Sequence, residues 1–435
     1  MRHSKIFNGG FIQMKKRILA LSLAAAMLVG AMASCSAKEE PVSSQAVEAR
    51  DISLVLWGSE NDNAFLKETA AEWATAYAAE HEDVKSVTVD VQIKGEDVAT
   101  TDALNDMSAA ADVFGCANDQ LAQLTASNAI YKMPESVVND IKAVVGDSFL
   151  ASTMCDGNYY GFPYAPNTAE ILFYNKEFYT DEEAKSLNAM LEKDLGGVTN
   201  LAVDIDDQSW NSMTWFATAG AELYTGGDKT VNTMNKPEVT VMLTWLQGQI
   251  QAKKIVDIDS ADNAAAMLKD KTVGAIFYGA WNKKAFQEAL GDNYGVAELP
   301  SVTVEGCVTD QHLKCFGGNK MLVLNAQTKE PEAALALAQY IISEDVQLKR
   351  FKAVQQTPTA PALATNADIA ADPGVAAEVA QGGYTLTNQP LNGTAGYWDL
   401  EKAVVSDLYK GNIAAADIQG KLDEMVAAMQ ANVGA

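Results

Sequence analysis

Hydrophobic and polar positions alternate in a strand and helix order over the early part of the chain. Residues 52–57 and 112–117 are short apolar runs, and 87–93 alternates valine and isoleucine with polar residues, so these segments predict β-strands. Residues recur on one face at four-residue steps in 61–79, which predicts an amphipathic helix, and 118–127 predicts another. This order predicts a mainly parallel sheet covered by helices.

A second region of the same kind follows. Strand character returns at 170–174, 273–277 and 321–325, and Pro331 stands where a helix would begin. Proline and glycine interrupt the pattern near residues 163–166, 315–319 and 356–361. These interruptions predict a chain that passes three times between two lobes.

The three breaks divide the chain into two predicted lobes. A chain of this length buries one large core or, more readily, two. We therefore expect an α/β protein with two lobes. They comprise residues 51–165 with 319–357, and residues 166–318 with 358–435.

The first 34 residues have the three parts of an export signal. A cationic start at 15–17 precedes an uncharged run over 18–34, which ends in small residues and is shorter than the roughly 20 apolar residues of a membrane span. The run closes on Met-Ala-Ser-Cys35, which resembles the bacterial lipobox, in which the cysteine is acylated and becomes the first residue. The alternatives are an ordinary cleaved signal and an uncleaved anchor helix. The resemblance implies a signal peptide over 1–34, a lipid on Cys35 and a flexible tether over 35–50.

The predicted mature chain is strongly acidic. Removal of residues 1–34 deletes five basic and no acidic residues, which leaves 27 basic and 57 acidic residues and a formal net charge of −30 over 401 residues. Such a surface repels the phosphates of nucleic acids and of anionic lipids, so neither is expected as a direct partner. Hydrophobic content of 48% with 20% charged residues is typical of a globular chain.

The sequence carries no motif for covalent chemistry. The predicted mature chain keeps two histidines, His81 and His312, and has no phosphate loop, dinucleotide-binding glycine turn or nucleophile elbow. Aspartates cluster at 204–207 and 257–262 but lack the spacing of a calcium loop. We interpret both clusters as solvated loops on an acidic protein.

Four cysteines remain after Cys35. An extracellular location permits disulfides, but spacing alone does not assign them. Cys307 and Cys315 could close a small loop and Cys116 and Cys155 could pair, with free buried thiols as the alternative in both cases.

Tryptophans stand beside glycines and polar residues at the ends of predicted strands and helices. Trp57 ends the first strand, Trp281 follows a later one, and Trp398 stands at the start of a helix. A flat ring in such a place can stack on the apolar face of a sugar, while nearby Asp, Asn and Gln side chains bind its hydroxyls. Burial is the commoner fate of a tryptophan, and we expect it for Trp73 and Trp245, which fall inside helical patterns.

The order of these segments resembles that of extracellular solute-binding proteins of the maltose-binding-protein type. The matching stretches, in order over residues 51–431, are ISLVLWGSE, DVFGCANDQLAQL, DGNYYGFPYAPNTAEILFYNKEF, MLKDKTVGAIFYGAWNKKAF, GGNKMLVLNAQTKEPEAALALAQYIISEDVQ and GYWDLEKAV. The resemblance implies the type II periplasmic-binding-protein fold, in which two α/β lobes are joined by a hinge that the chain crosses three times. It also implies that the protein delivers a sugar to an ATP-binding-cassette importer.

The same resemblance implies particular residues at the ligand. Trp281 and Trp398 match positions where family members place rings against the sugar, and Asp119 matches a hydroxyl-binding carboxylate. The first polar loop of the family is matched by Ser59, Glu60 and Asn61. These six residues are the predicted contacts that follow the family pattern.

Other predicted contacts depart from the family pattern. Asn167 and Thr168 stand where a glutamate is usual, and Trp210 begins a segment that replaces a Glu-Pro-Tyr-like one. Lys402 replaces an arginine, and Gln120 stands where maltodextrin binders have an arginine. The fold and the sugar class therefore carry over better than the particular sugar does.

We therefore expect a lipid-anchored protein on the extracellular face of the cytoplasmic membrane. It would capture a sugar, such as a maltodextrin, between its lobes and pass it to the permease subunits of the importer. No catalytic residue, cofactor or metal is expected, and the chain is expected to act as a monomer. The alternatives are a binding protein for a non-sugar solute, such as a peptide, a polyamine or iron, and an exported glycan hydrolase.

Overall fold

The computed structural model describes residues 49–167, 170–206, 209–225, 228, 230–387 and 397–433. The predicted signal peptide, Cys35 and nearly all of the predicted tether lie outside these residues, as do Thr168 and the side chain of Asn167. In the part of the chain that is described, no helix combines the length and the hydrophobicity needed to cross a membrane.

The described residues form strands and helices in an alternating order. The strands are β1 (Arg50–Gly58), β2 (Val84–Ile93), β3 (Val113–Ala117), β4 (Met154–Cys155), β5 (Asn158–Tyr159), β6 (Gly161–Asn167), β7 (Glu170–Asn175), β8 (Thr199–Val203), β9 (Ile255–Asp257), β10 (Val273–Gly279), β11 (Tyr294–Ala297), β12 (Ser301–Val304), β13 (Val308–His312), β14 (Cys315–Leu324) and β15 (Thr385–Thr387). The helices are α1 (Asn63–Glu80), α2 (Glu96–Asn105), α3 (Leu121–Ala126), α4 (Glu135–Ala151), α5 (Leu187–Glu192), α6 (Ser209–Thr218), α7 (Pro237–Gln251), α8 (Ala261–Lys269), α9 (Lys283–Leu290), α10 (Pro331–Ile341), α11 (Glu344–Val354), α12 (Ala367–Ala370), α13 (Pro373–Gly382), α14 (Tyr397–Tyr409) and α15 (Ile418–Val433).

The first sheet has the strand order β15–β14–β3–β1–β2, and β6 also pairs with β14. β1 is parallel to β2 and β3, whereas β14 is antiparallel to β3 and β6 and parallel to β15. The prediction of a parallel arrangement is confirmed for β1 to β3, and β14 makes the sheet mixed. Helix α1 covers this sheet and buries Phe65, Trp73 and Tyr77 on one face, so the predicted core position of Trp73 is confirmed. We call this sheet with its packed helices the first lobe.

The second sheet has the strand order β11–β7–β10–β8–β9. β8 is parallel to β9 and β10, and β7 is antiparallel to β10 and β11. Every residue of β7 and β10 is buried, as expected for strands that are covered on both faces. Trp215 lies in the core of this sheet, and Trp245 packs against it half-buried. We call this sheet with its packed helices, including α14 and α15, the second lobe.

The chain leaves the first sheet after β6 and enters the second at β7. It returns along β14, whose Cys315 and Phe316 pack in the core of the second lobe while Leu322 and Leu324 pack in the core of the first. One long strand therefore belongs to both lobes, at the second of the predicted breaks.

The segment at the third predicted break, 356–361, contacts both lobes. The Gln347 side-chain oxygen accepts the backbone N–H groups of Thr359 (2.7 Å) and Ala360 (3.0 Å), and the Thr359 hydroxyl donates to the Pro163 carbonyl (3.2 Å). These bonds join Thr359 and Ala360 to the first lobe, whereas the Thr357 hydroxyl accepts from Lys283 Nζ of the second lobe at 2.8 Å. Helix α13 is the next element that packs on β7 and β11 of the second sheet.

All four described cysteines are free thiols, which decides between the alternatives left open by the sequence. Cys116, Cys155 and Cys315 are buried, and Cys307 is half-buried with its thiol donating to the Glu238 carbonyl at 3.2 Å. Burial raises the pKa of the Cys315 thiol to about 12. Such thiols are packing residues rather than nucleophiles.

Candidate functional site

A cleft of about 590 Å³ is lined by both lobes. Its lining from the first lobe consists of Ser59, Glu60, Asn61, Asp62, Gly95, Glu96, Ala117, Asp119, Gln120, Lys320, Arg350, Val354 and Gln356. Its lining from the second lobe consists of Asp204, Trp210, Asn211, Ala261, Tyr278, Trp281, Asn282 and Trp398. The volume lies within the roughly 300–1,000 Å³ that is typical of small-molecule sites.

Three of the loops around this cleft are built in the same way. β1, β3 and β10 each end in a single 3₁₀ turn, over Glu60–Asp62, Asn118–Gln120 and Ala280–Asn282, before the next helix begins. Side chains that follow parallel strands meet at the carboxyl edge of the sheet, where α/β proteins hold their ligands. The short turns therefore bring Asn61, Asp119 and Trp281 to one cleft.

Trp281 follows β10 and is only partly buried. Tyr278 lies edge-on to it, with the ring centroids 6.4 Å apart, and the Lys320 ammonium group of the first lobe lies 5.4 Å from its centroid. Gly279 leaves room for the indole, since a Cβ there would lie 2.1 Å from the ring. A larger residue at position 279 would therefore clash with the Trp281 ring.

Trp398 lies in the first turn of α14 and belongs to a cluster of aromatic rings. Its centroid lies 5.9 Å from that of Trp210 and 5.8 Å from that of Phe316, which is perpendicular to it. The indole N–H of Trp210 is buried and has no acceptor among the described residues. The second lobe therefore presents an apolar wall that carries an unused hydrogen-bond donor.

Asp119 lies in the 3₁₀ turn after β3 of the first lobe. Burial raises the pKa of its carboxyl group, while a hydrogen bond from the Trp398 indole partly offsets that shift. Gln120, the residue that stands where an arginine was expected, accepts a bond from the Thr100 hydroxyl at 2.8 Å. The Asp119 carboxyl thus joins the first lobe to the ring wall of the second.

Asp62 and Arg350 form a buried ion pair at the end of the cleft loop that follows β1. The Arg350 Nε donates to Asp62 Oδ1 at 2.9 Å, and its Nη2 donates to Asp62 Oδ2. Arg350 also donates from Nη1 to the Tyr164 carbonyl at 2.8 Å. This fork satisfies the guanidinium group and fixes the loop that carries Asn61.

Glu96, Lys320 and Tyr164 form a second charged cluster in the first lobe. Lys320 lies 3.1 Å from Glu96 Oε2, and the Tyr164 hydroxyl donates to Glu96 Oε1. Burial by itself would raise the pKa of Glu96, but the Lys320 charge and the Tyr164 hydroxyl outweigh it, so the pKa is lowered. Glu96 is therefore ionised, and the Lys320 charge is already matched by a carboxylate.

Two further contacts join the lobes across the cleft. The Asn61 amide donates to the Asn282 side-chain oxygen at 3.2 Å, and Lys320 of β14 lies over the ring of Trp281. The bond from the Trp398 indole to Asp119 is a third such contact. All three contacts are made by side chains that line the cleft. A ligand that enters the cleft must therefore exchange or extend these contacts.

The structure brings most of the predicted contacts together. Seven of them line the cleft, namely Ser59, Glu60, Asn61, Asp119, Trp210, Trp281 and Trp398. Lys402 does not line it, because it lies one turn beyond Trp398 on α14, partly exposed, where its charge reaches Asp206. Asn167 ends β6, and Thr168 lies outside the described residues.

Several lining residues were missed by the sequence reasoning. Tyr278 and Asn282 flank Trp281 and could have been found from that motif, because residues beside a strand-end ring share its loop. Lys320 and Arg350 carry no local signal, since their places depend on β14 and α11 packing beside distant segments. Trp57 is buried away from the cleft, and its indole donates to Gln92 at 3.0 Å.

The interpretation of the aspartate clusters as solvated loops is wrong for two of their members. Asp204 is 6% exposed and lines the cleft. Asp257 accepts the backbone N–H groups of Ile205 (2.8 Å) and Asp206 (2.9 Å), so it orders the loop that follows β8. No group of three or more metal-ligating side chains occurs within the described part of the chain.

Comparison with known proteins decides the family. Residues 72–377 match the profile of the bacterial extracellular solute-binding proteins. The chain belongs to this family. Its members are binding proteins, and the predicted two-lobed α/β fold is confirmed for this solute-binding protein.

The similarity to known proteins extends over most of this solute-binding protein. The galactooligosaccharide-binding protein of Bacillus subtilis (strain 168) is 23% identical over 375 residues, which are 82% of this chain and 83% of that relative. A solved structure described as a complex with acarbose is 29% identical, has a TM-score of 0.80, and covers 88% of this chain and 99% of its own. The maltodextrin-binding protein MalE1 from L. casei BL23, solved without ligand, is 25% identical, has a TM-score of 0.73, and covers 87% and 98%.

Proposed function

We propose that this solute-binding protein captures a neutral oligosaccharide, such as a maltodextrin, in the cleft between its lobes. The observation that carries the proposal is the wall formed by Trp210 and Trp398, with the Asp119 carboxyl at its edge. Relatives named for galactooligosaccharide and maltodextrin binding support the ligand class. A sugar presents apolar C–H faces and hydroxyl edges, and this wall offers a partner for each.

The polar side chains of the cleft suit hydroxyl groups. The Trp210 indole N–H has no acceptor among the described residues, so a ligand hydroxyl could fill that position. Asn61, Asn282 and Gln120 offer both donors and acceptors, and Asp119 offers acceptors. Buried polar groups that find partners only in the complex are the usual source of sugar specificity.

The charges of the cleft favour a neutral ligand over an anionic one. Both lining cations are already bound by carboxylates, Lys320 by Glu96 and Arg350 by Asp62. Glu60, Asp119 and Asp204 add acidic groups to the lining. An anionic sugar would meet like charges and no uncommitted cation, so we expect it to bind weakly.

Ligand capture would couple to movement of the lobes. A ligand that touches both lobes stabilises the conformation in which they are close, because its affinity for that conformation is higher. The changed shape is what an ATP-binding-cassette permease would recognise before it takes the sugar. No covalent step is required, and we expect no turnover of the bound glycan.

We also propose that the protein works as a monomer tethered outside the cell. The lipobox-like tetrad ending at Cys35 and the polar, small-residue stretch that follows it support a lipid anchor. Membership of an extracellular family is in keeping with that location. Globomycin treatment of cells should accumulate a slower-migrating precursor, and a Cys35→Ser variant should be released into the medium. A Cys35→Ser variant that stays in the membrane fraction would count against the anchor.

A polyamine is the second candidate ligand. The acidic lining of Glu60, Asp119 and Asp204 suits an extended cation, and rings such as Trp281 can bind ammonium groups through their faces. The ring wall beside hydrogen-bonding side chains favours the sugar. The two candidates differ in their response to salt, since a polyamine complex weakens as ionic strength rises.

Calorimetric titration of the mature chain carrying Cys35→Ser tests the proposal. The ligands are maltotriose, maltotetraose, a galactooligosaccharide, an oligogalacturonide and spermidine, each at low and high salt. We expect a neutral oligosaccharide to bind with little salt dependence and the anionic one to fail. Absence of binding by every saccharide would overturn the proposal. Release of shorter sugars, followed by chromatography, would instead indicate a hydrolase.

A further inference from the structure

A hydrogen bond between two buried side chains joins the two helices that carry Trp210 and Trp398. The Ser212 hydroxyl of α6 donates to Glu401 Oε1 of α14 at 2.5 Å, and both residues are fully buried. Trp210 precedes Ser212 by two residues on α6, and Trp398 precedes Glu401 by three on α14. This bond therefore joins the two helices that carry the neighbouring rings.

We infer that Ser212 and Glu401 are positioning residues that hold Trp210 against Trp398 in the arrangement that binds the ligand. The inference rests on the proposed function, because it gives that ring pair its role. Helices α6 and α14 pack along each other, and the rings in their first turns line the cleft and are only partly buried. A buried hydrogen bond between the two helices can restrict the separation of the rings where packing alone leaves freedom.

The helices that pack around Glu401 contribute few charged groups. Helix α6 contains no charged residue, and α7 contributes only Glu238. Helix α15 contributes Lys421, Asp423 and Glu424, which are all exposed, and the flanking charges on α14 are Asp399 and Lys402. Burial raises the pKa of Glu401 to about 8, and the bond from Ser212 only partly offsets that shift.

Ionisation of Glu401 would place a charge in this apolar setting. Its second carboxyl oxygen has no partner in the described part of the chain. A carboxylate there would draw in water and separate α6 from α14. The ring pair would then lose its arrangement as the pH rises through about 8, and ligand affinity would fall with it.

Glu170 provides a matched control within the same lobe. It is fully buried, accepts a bond from the Thr214 hydroxyl of α6 at 2.6 Å, and its pKa is also raised by burial to about 8. It lies on β7, however, and joins α6 to the sheet rather than to the helix that carries Trp398. A change at Glu170 therefore alters a buried acid without touching the link between the rings.

The test uses the mature chain with the variants Glu401→Gln, Glu401→Leu, Ser212→Ala and Glu170→Gln. The first readout is the near-UV circular dichroism of the ligand-free protein, in which Trp398→Phe identifies the band due to the ring pair. The second is affinity for the saccharide that the wild type binds best, measured from about pH 6 to about pH 9.5.

We expect Glu401→Leu to lose the ring-pair band and to bind about tenfold more weakly at neutral pH, with Ser212→Ala changed in the same direction. Glu401→Gln keeps an acceptor for Ser212, so it should retain the band and the affinity and lose the fall of affinity near pH 8. Glu170→Gln should keep that fall.

Unchanged dichroism and affinity in Ser212→Ala and in a folded Glu401→Leu would overturn the inference. So would identical pH profiles of affinity for the wild type and Glu401→Gln. If the wild type binds no saccharide, the proposed function fails, while the dichroism of the ligand-free variants still decides whether the pair positions the rings.

Discussion

The two lobes line one cleft, but two buried acids of the first lobe and two of the second are held differently. In the first lobe, Asp62 is bound by Arg350, and Glu96 by Lys320 and Tyr164. In the second lobe, Glu170 and Glu401 are fully buried beside hydroxyl groups, and burial raises the pKa of each to about 8. Asp62 and Glu96 are therefore held as charged partners of cations, whereas Glu170 and Glu401 are held neutral. The second lobe also contains one buried ion pair, between Lys283 and Glu378.

The difference matches the side chains that each lobe contributes to the cleft lining. The ion pairs of the first lobe fix loops of polar side chains, and each commits a cation that would otherwise attract anions. The second lobe offers aromatic rings, which need an apolar backing, and neutral acids can be hydrogen-bonded there without a counter-ion. Asp119 lies at the boundary: it belongs to the first lobe, and its partner is a ring of the second.

Removal of the buried Arg350 guanidinium group of the first lobe should have the largest effect on stability. Arg350→Met leaves Asp62 buried without its partner, and loss of one member of such a pair costs about 3–5 kcal/mol of unfolding free energy. Urea unfolding measures the change. Lys349→Met on the same helix is the control, because its pair with Glu72 is exposed (52% and 43%) and should change stability by less than about 1 kcal/mol. Equal effects of the two variants would show that burial is not what makes the first-lobe pair important.

Removal of a ring from the second lobe should affect binding rather than folding. Trp281→Ala or Trp398→Ala should weaken saccharide binding by about 1–3 kcal/mol, because a stacked face is lost while the surrounding core stays. Calorimetry gives the affinity, and thermal unfolding checks the fold. Tyr384→Ala removes an exposed ring outside the cleft lining and should leave affinity unchanged. Unaltered affinity in both tryptophan variants would refute their assignment to the ligand.

The pH dependence of stability should separate the lobes. The ordinary pKa of 4.5 rises to about 8 for folded Glu170, so the folded protein keeps a proton that the unfolded chain releases. Stability should therefore fall as pH rises from about 4.5 to about 8, by up to about 1 kcal/mol per pH unit for this group, and then level off. The pKa of folded Glu96 is lowered, so its contribution is present above the ordinary pKa and is lost as acid protonates it.

Urea unfolding at several pH values measures this difference. Glu170→Gln should reduce the fall of stability between about pH 5 and about pH 8. Glu96→Gln should instead reduce the loss of stability in acid. If stability varies with pH in both variants as it does in the wild type, the pKa of Glu170 is not raised and that of Glu96 is not lowered in the folded protein.

The amide contact between the lobes should have the smallest effect. Asn61→Ala removes the 3.2 Å bond to Asn282 and should change saccharide affinity by no more than about 0.5–1.5 kcal/mol. Asn188→Ala is the control, because the Asn188 amide bonds Thr303 within the second lobe and should change stability without changing affinity. A larger effect at Asn61 would indicate that this amide binds the ligand directly.

Local pattern predicted the elements that position the site. The apolar run at 52–57, the alternation at 87–93 and the helical spacing at 61–79 correspond to β1, β2 and α1, because each pattern reflects burial on one face. The third predicted break contacts both lobes, since Gln347 of the first lobe binds the backbone of Thr359 and Lys283 of the second lobe binds the Thr357 hydroxyl. Lys402 was carried over from a family pattern, and one turn of α14 places it outside the cleft lining.

By itself, the sequence determined the order of strands and helices, the two-lobed fold and three tryptophans that line the cleft. These features depend on periodicity and on side chains at the ends of strands, which are properties of neighbouring residues. Only the tertiary structure decided which acids are paired and which are neutral. Asp62 and Arg350 are 288 residues apart and Ser212 and Glu401 are 189 apart, so their bonds exist only after distant elements have packed. Charge state depends on burial and partners, and both arise from that packing.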